Sequence, residues 1–303
     1  MRTLHVIEPW WSGAREGDCG PSDAAVVCCA AMRAGGAGGA VGAVGDAVCV
    51  IGPGEARARA RSLGLEVDAT ILPVLGRGSP RGGALRRVVD KLGGFDVVRA
   101  WTRGAVATGL SSGVRLVDSS GLEESEACAE RWAKGAALRS RERAREEMGL
   151  ADDLVVVGLI ADPPSDGDAS DFVYFKMLVA KAGVASVTVV QRGAWQLDRA
   201  RGFHRELSHE GGFLAWNGAM LPLMAAFDGV VLSPPTARSD SLRGARARVA
   251  AIVAARAGVP MVCAAGDGVS AMAGVTASKD STRSSLATAL MAMLGAASEV
   301  QHG

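Results

Sequence analysis

The sequence predicts an α/β protein with two doubly wound parallel-sheet domains, and three observations support this. Short apolar runs alternate with helical segments along the chain, the pattern of a parallel sheet with crossover helices. The alternation restarts after Gly149 with residues 154–161, a continuous β-branched run typical of a strand buried on both faces. The 303 residues suffice for two such domains. We place them at residues 1–122 and 123–280, followed by a helical segment at 281–303.

The first domain begins with a strand at residues 4–7 and a long glycine-rich loop. Ser22 and Asp23 then supply the cap of a small-residue helix that extends to about Ala34. The remaining elements predicted here are strands at 47–51, 95–100 and 114–117, helices at 55–63 and 81–92, and a short helix between the last two strands.

A charged segment at residues 123–148 joins the two domains. Its arginines are interleaved with glutamates, which favours a solvated helix crossed by ion pairs four residues apart. We interpret this segment as the domain junction.

The second domain continues the alternation to the end of the chain. Its predicted strands are 154–161, 185–190, 212–216, 229–232 and 259–263, and its predicted helices are 169–182, 196–208, 218–226 and 239–257. An amphipathic helix from Ser281 to Ala297 closes the chain.

Composition excludes several classes of protein. Lys+Arg 33 against Asp+Glu 32 gives a net charge of +1, and no basic run is present, which argues against nucleic-acid binding. None of the six cysteines forms a CxxC pair and no secretory leader is evident, so we expect no metal ribbon and a reduced, cytoplasmic location. The longest apolar stretches are too short for a transmembrane segment, which leaves peripheral membrane contact open.

Two common enzyme motifs are incomplete. The stretch with Gly36 and Gly38 has Val41 where the dinucleotide fingerprint GxGxxG needs its third glycine, which disfavours a Rossmann dehydrogenase. The segment around Ser270 begins like a nucleophile elbow but lacks the second glycine, which disfavours a hydrolase.

Four polar loops are candidate ligand contacts. The loop Gly17–Ser22 runs into a helix, where backbone N–H groups would suit a phosphate or a sugar hydroxyl, although an ordinary helix cap explains it equally well. Trp10 and Trp11 in the same loop can stack on a sugar or simply pack. The other three loops end strands of the second domain, at Gly158–Pro164, Trp216–Gly218 and Ser233–Pro235, and open α/β sheets bind ligands at that edge.

Several segments, in order, resemble the retaining family-4 type of GT-B glycosyltransferase (glycosyltransferase group 1). Residues 141–158 resemble the opening of that family's C-terminal domain, which commonly runs R..R..LGL..D..VV..VG. Residues 213–218, 227–234 and 257–262 look like its V.F.G, AD..V.PS and AG.PVV segments, and residues 95–101 look like the D.VH.W strand of its N-terminal domain. The resemblance covers most of the chain.

This resemblance implies the GT-B fold, with two Rossmann-like domains facing a cleft and the final helix returning toward the first domain. It implies a nucleotide-sugar donor in the second domain, an unknown acceptor at the first, and neither metal nor cofactor. The implied donor-binding residues are Gly158, Asp162, Trp216, Asn217, Gly218, Ser233 and Arg238. The loop with Gly17, Gly20 and Ser22 would contact the transferred sugar. We expect the glycines at 17, 20, 158 and 218 to lie on loops that a donor can approach.

The chain departs from the family at its charged positions. Asp162 and two prolines follow the first strand of the second domain, where the family has an arginine and a lysine, and the two family glutamates fall on Ala245 and Val253. Arginines at positions 238, 243, 246 and 248 are candidates to replace the missing positive charge, or form an arginine-rich surface.

The leading hypothesis is therefore a glycosyltransferase of the hexosyltransferase type, with catalytic residues unknown. The alternative is a non-catalytic GT-B-like binding or scaffold module. A third hypothesis, a nucleotide-sugar epimerase of the same architecture, would use His5 and Glu8 at the end of the first strand.

Overall fold

The computed structural model forms two compact units, Met1–Trp132 and Ala133–Gly303. The residues it describes are 1–9, 22–35, 45–72, 81–110, 112–122, 124–135, 138–160, 186–191, 213–216, 218–232, 243–264, 268–280 and 282–301.

The first unit is built on one parallel sheet. Its strands are β1 (Thr3–Ile7), β2 (Ala47–Ile51), β3 (Ala69–Ile71), β4 (Val97–Ala100) and β5 (Leu116–Asp118), in the order β3-β2-β1-β4-β5. Its helices are α1 (Asp23–Gly35), α2 (Gly54–Ser62), α3 (Arg81–Lys91), α4 (Arg103–Leu110) and α5 (Ser125–Lys134).

Alternate strand residues of this sheet bury an apolar core. Leu4 and Val6 of β1 share it with Val98 of β4, and Leu85 and Val89 of α3 cover them. Because side chains alternate across a strand, the residues between them face the opposite side of the sheet. Complete burial of each such side chain contributes roughly 1.5–3 kcal/mol.

The second unit contains a six-stranded parallel sheet. Its strands are β6 (Val155–Ile160), β7 (Ser186–Gln191), β8 (Phe213–Trp216), β9 (Gly229–Leu232), β10 (Met261–Cys263) and β11 (Val275–Ala277), in the order β11-β10-β9-β6-β7-β8. Its described helices are α6 (Arg141–Met148), a 3₁₀ helix (Leu221–Ala226), α7 (Arg243–Arg256) and α8 (Arg283–Gln301).

Both sheets have the same topology. Counted from its own first strand, the first sheet runs 3-2-1-4-5 and the second 3-2-1-4-5-6, the order of doubly wound nucleotide-binding domains. The predicted α/β class with two Rossmann-like parallel-sheet domains is therefore confirmed. The three-residue strands β3 and β11 are additional to those predicted.

Two predicted elements differ from the structure. Residues 218–226 were expected to form an α-helix, but Leu221–Ala226 form a 3₁₀ helix with Pro222 in its first turn. The charged segment was expected to be one solvated helix, but it divides into α5 and α6, and Arg145 of α6 is only 1% exposed.

Arg145 is buried because its guanidinium binds carbonyls of two backbone segments and one carboxylate. Its nitrogen atoms donate to the carbonyls of Ala226, Ala151, Asp152 and Leu154 at 2.7–3.1 Å, and Nη2 lies 2.9 Å from Oδ2 of Asp228. Asp228 also accepts from Arg141 at 2.6 Å and from the backbone N–H of Val156 at 2.7 Å. This network joins α6 to the first strand of the second sheet.

The final helix packs on the second sheet. Leu286, Leu290 and Leu294 recur every four residues and form an apolar stripe against Val157 and Val231. Thr282 caps the helix by accepting from the N–H of Ser285 at 3.2 Å. The expected return of this helix toward the first domain stays a prediction.

Candidate functional site

The topology marks one candidate site on each sheet. In open α/β sheets, ligands bind outside the carboxyl ends of the strands, where the strand order reverses. This point lies between β1 and β4 in the first sheet and between β6 and β9 in the second.

Glu8 occupies this position in the first sheet. It directly follows β1 and is 7% exposed. Its carboxylate lies against the first turn of α4, where a Cβ on Gly104 would overlap Oε2 of Glu8. The partial positive charge of a helix N-terminus favours a carboxylate there. Thr102 caps the same helix by accepting from the N–H of Ala105 at 3.4 Å.

The end of the glycine-rich loop is attached beside Glu8. The N–H of Ser22 donates to the carbonyl of Glu8 at 3.2 Å, and its Oγ accepts from the N–H of Ala25 at 3.3 Å. Ser22 is therefore the predicted N-cap of α1. Gly17 and Gly20 lie outside the described residues, and contact of this loop with a sugar stays a prediction.

A buried ion pair fixes the start of α1. Asp23 accepts from Nε and Nη2 of Arg59 on α2, both at 2.6 Å, and both side chains are almost fully buried. Such a bidentate pair is geometrically specific. It holds the first turn of α1, and with it the adjoining loop end, against α2.

His5 is not at the carboxyl edge. It lies within β1, and its Nδ1 accepts from the indole N–H of Trp101 at 3.1 Å. Its Nε2 is 3.9 Å from Asp46, which precedes β2. Burial lowers the pKa of His5 to about 4, so the ring is neutral at pH 7. These contacts do not favour the epimerase role considered for His5.

Replacing His5 with glutamine is expected to reduce the acid sensitivity of the protein. The pKa of His5 rises from about 4 in the folded state to 6.5 in the unfolded chain. The unfolded state binds the extra proton between these values, so the free energy of unfolding falls as the pH is lowered from 6.5 toward 4. This one group accounts for a loss of about 3 kcal/mol.

Urea unfolding at neutral pH and near pH 4 measures this effect. Glutamine retains an acceptor for Trp101 but does not titrate. We expect the wild type to lose about 3 kcal/mol more than His5→Gln over this range. Equal losses in the two proteins would contradict a neutral, buried His5.

Trp216 is the clearest feature at the edge of the second sheet. It ends β8, and its Nε1 is buried without a hydrogen-bond acceptor in the described part of the chain. Gly218 allows the indole to lie close against the main chain, since a Cβ there would lie 2.6 Å from Nε1. Buried polar groups are nearly always hydrogen-bonded, so this N–H, which has no acceptor among the described residues, is a candidate ligand contact.

Gly158 has a structural role. It was expected on a loop, which is wrong: it lies inside β6 and is buried. A Cβ there would be 3.0 Å from the ring of Phe227 and from Val230. The glycine therefore allows the Phe227 ring to pack on the strand, and a contact with donor phosphates stays a prediction.

The remaining predicted donor residues Asp162, Asn217, Ser233 and Arg238 lie outside the described residues, as do Trp10 and Trp11. Arg246, in the second turn of α7, is buried, and Arg248 is half-buried.

Among the residues described, no group of three or more His, Cys, Asp or Glu is arranged to hold a metal ion. None of the helices within the described ranges is long and apolar enough to span a membrane.

Glu8 is the candidate site residue that sequence reasoning weighted least. It was considered only for an epimerase, although its position directly after the first strand places it at the sheet edge where ligands bind. Its burial and its contact with Gly104 depend on the packing of α4, which no motif shows.

The sequence matches no protein family model and no curated protein. Solved structures do match. The E. coli ADP-heptose LPS heptosyltransferase II has a TM-score of 0.51 and 15% identity, over 97% of this chain and 98% of its own. Anabaena HepE, solved with UDP and glucose, has a TM-score of 0.57 and 16% identity, over 99% and 91%.

The UDP-GlcNAc 2-epimerase of Methanocaldococcus jannaschii is also similar, with a TM-score of 0.54 and 9% identity over 97% of this chain and 93% of its own. Identities this low establish the fold alone. The chain has the GT-B fold, and the match extends over nearly its whole length in each case.

Proposed function

We propose that the protein is a glycosyltransferase that moves a sugar from a nucleotide-sugar donor to an acceptor. The observation that carries this proposal is the indole N–H of Trp216, which has no acceptor among the described residues and lies beside Gly218 at the carboxyl edge of a sheet with nucleotide-binding strand order. The donor binds at the second sheet and the acceptor at the first.

The spacing of the strands suits a nucleotide. β8 is two strands away from β6, which is about 10 Å at the usual strand separation. A nucleoside diphosphate can therefore extend along the edge, with its base at Trp216 and its phosphates where the strand order reverses, between β6 and β9. Every nucleobase offers an oxygen or ring nitrogen to accept from the indole N–H.

Two similar structures support the donor class. The E. coli protein is named for ADP-heptose, and HepE was solved with UDP and glucose. The finer resemblance to the retaining family-4, hexosyltransferase type rests on the ordered motifs and is part of this proposal, as is a cytoplasmic location.

The donor site is completed by the residues that the resemblance implies: Gly158, Asp162, Asn217, Ser233 and Arg238. A departing diphosphate must be stabilised by cations or backbone amides. The basic pair of the family is absent, so Arg246 and Arg248 near the start of α7 take this role together with Arg238. No metal or further cofactor is required.

Glu8 is the proton acceptor in this proposal. An acceptor hydroxyl loses its proton as it attacks the sugar, and a carboxylate within reach accelerates that step. Glu8 lies where the strand order of the first sheet reverses, between β1 and β4, and its carboxylate is held in place by α4. Ser22, Gly17 and Gly20 belong to the loop attached beside it.

Calorimetric titration of the full chain with UDP, ADP and GDP tests the donor site. We expect one of them to bind, and Trp216→Phe to bind it roughly fivefold to tenfold more weakly, because phenylalanine lacks the N–H. Gly218→Ala should weaken binding further, since its Cβ would displace the indole of Trp216.

Trp132→Phe is the matched control. It removes an indole N–H that donates to the carbonyl of Leu63 at 2.9 Å in the first unit. This variant should bind the nucleotide as the wild type does. If no nucleotide binds, or if Trp216→Phe binds it unchanged, the proposed donor site is wrong.

Assays of transfer to water with the bound nucleotide's sugars then separate the two remaining hypotheses. Release of free sugar supports the transferase. Donor binding without any turnover favours the non-catalytic module instead.

A further inference from the structure

Two cysteines of the first unit form a thiol pair. Cys28 of α1 and Cys128 of α5 are hydrogen-bonded through their side chains and are 1% and 3% exposed. One turn further along both helices, Nη1 of Arg131 donates to the carbonyl of Ala31 at 3.4 Å. The two helices are therefore in contact on successive turns at this point, which holds the two sulfur atoms together.

The pKa of Cys128 differs from those of Cys29 and Cys49, two other buried cysteines of the first unit. The hydrogen bond with Cys28 lowers the pKa of Cys128 to about 7, against the opposing effect of burial. Burial raises the pKa of Cys29 and of Cys49 to about 12. Glu124 and Arg131, the charges nearest Cys128, act on it in opposite directions. Cys128 is thus a thiolate for part of the time at neutral pH, while Cys29 and Cys49 stay protonated.

We propose that Cys28 and Cys128 form a reversible disulfide when the protein meets a hydroperoxide. None of the five cysteines in the described part of the chain forms a disulfide in this structure. This inference is independent of the proposed glycosyl transfer, because neither cysteine belongs to the candidate site.

The reaction has two balanced steps. The Cys128 thiolate attacks one oxygen of hydrogen peroxide and the O–O bond breaks, which gives a Cys128 sulfenic acid and releases hydroxide. The Cys28 sulfur then attacks the sulfenic sulfur, the S–O bond breaks, and the oxygen leaves as water. Overall the two thiols lose two electrons and two protons, and the peroxide is reduced to water. An added dithiol reduces the disulfide back to two thiols by thiol–disulfide exchange.

The disulfide would join α1 to α5 across about a third of the chain. A cross-link that closes so long a loop restricts the unfolded chain and stabilises the folded one. We expect the unfolding transition of the first unit to rise by roughly 5–10 °C on oxidation and to return after reduction.

The experiment uses the whole, fully reduced chain treated with hydrogen peroxide, followed by alkylation of the remaining thiols in denaturant and peptide mapping. The expected product is a single cross-linked peptide pair containing Cys28 and Cys128, lighter by two hydrogen atoms and lost after dithiothreitol. Cys263→Ser, which changes a fully buried cysteine of the second sheet, is the matched control and should form the same product.

Cys28→Ser should leave Cys128 as a sulfenic acid that a dimedone probe captures. The pH dependence of Cys128 alkylation in the folded wild type provides a measurement without any substitution, with an expected midpoint near 7. Alkylation of both residues after peroxide treatment, a cross-link from Cys128 to Cys29, or a midpoint at the ordinary value of 9.0 would overturn the proposal.

Discussion

Replacing Arg145 with methionine is expected to lower the free energy of unfolding of the second domain by about 3–5 kcal/mol, among the largest effects of any single substitution. Methionine fills much of the same volume but cannot donate a hydrogen bond. The substitution therefore leaves the carbonyls of Ala226, Asp152 and Leu154 without the donor they have in the wild type. Each buried acceptor that loses its partner costs about 1–3 kcal/mol.

Lysine is not expected to rescue this site. The three donors of a lysine ammonium sit on one nitrogen atom. The Arg145 guanidinium instead reaches carbonyls of the α6–β6 connection, the carbonyl of Ala226 and the carboxylate of Asp228 at once. Arg145→Lys should therefore recover only a small part of the lost stability.

Arg143→Met is the control for this experiment. Arg143 lies on the same helix and is exposed, so the same chemical change there should alter stability by less than about 0.5 kcal/mol. Denaturant unfolding followed by a probe in the second domain measures all three variants. A loss for Arg145→Met no greater than that for Arg143→Met would show that the network does not support the fold.

The Arg145 network also shows why the sequence predicted the sheet better than the junction. The strand β6 is readable because its apolar run is local, and its neighbours follow from regular alternation with helices. The burial of Arg145 depends on carbonyls before β6 and before β9, which come together only after the sheet forms. In the sequence alone, the interleaved arginines and glutamates of residues 123–148 are typical of an exposed helix.

The same distinction holds for the smaller elements and for the site. β3 and β11 have only three residues each at the sheet edges, too few for a periodic signal. The position of Trp216 at a strand end was predictable. The lack of an acceptor for its N–H among the described residues and the close contact of its indole with Gly218 are tertiary features. Gly158 falls within the predicted strand 154–161, and only the implied donor contact placed it on a loop. Here it makes room for Phe227 instead.

The proposed role of Glu8 leads to the largest expected effect on activity. Glu8→Gln should slow sugar transfer by about 10²–10⁴-fold, because the amide keeps the size of the carboxylate but cannot take a proton from the acceptor. Nucleotide binding, which we assign to the second sheet, should not change. The fold should also persist, since loss of one charge at the start of α4 costs only about 0.3–1 kcal/mol.

Gly104→Ala tests the same residue from the opposite side. A Cβ at position 104 would overlap the Glu8 carboxylate and force it away from α4, so transfer should slow although Glu8 is retained. Gly83→Ala in α3 is the control, because nothing lies within 4 Å of its added methyl group. Initial rates of transfer to water, with calorimetry of nucleotide binding, distinguish these outcomes. Full activity in Glu8→Gln, with nucleotide binding intact, would remove Glu8 from the mechanism while leaving the donor site in place.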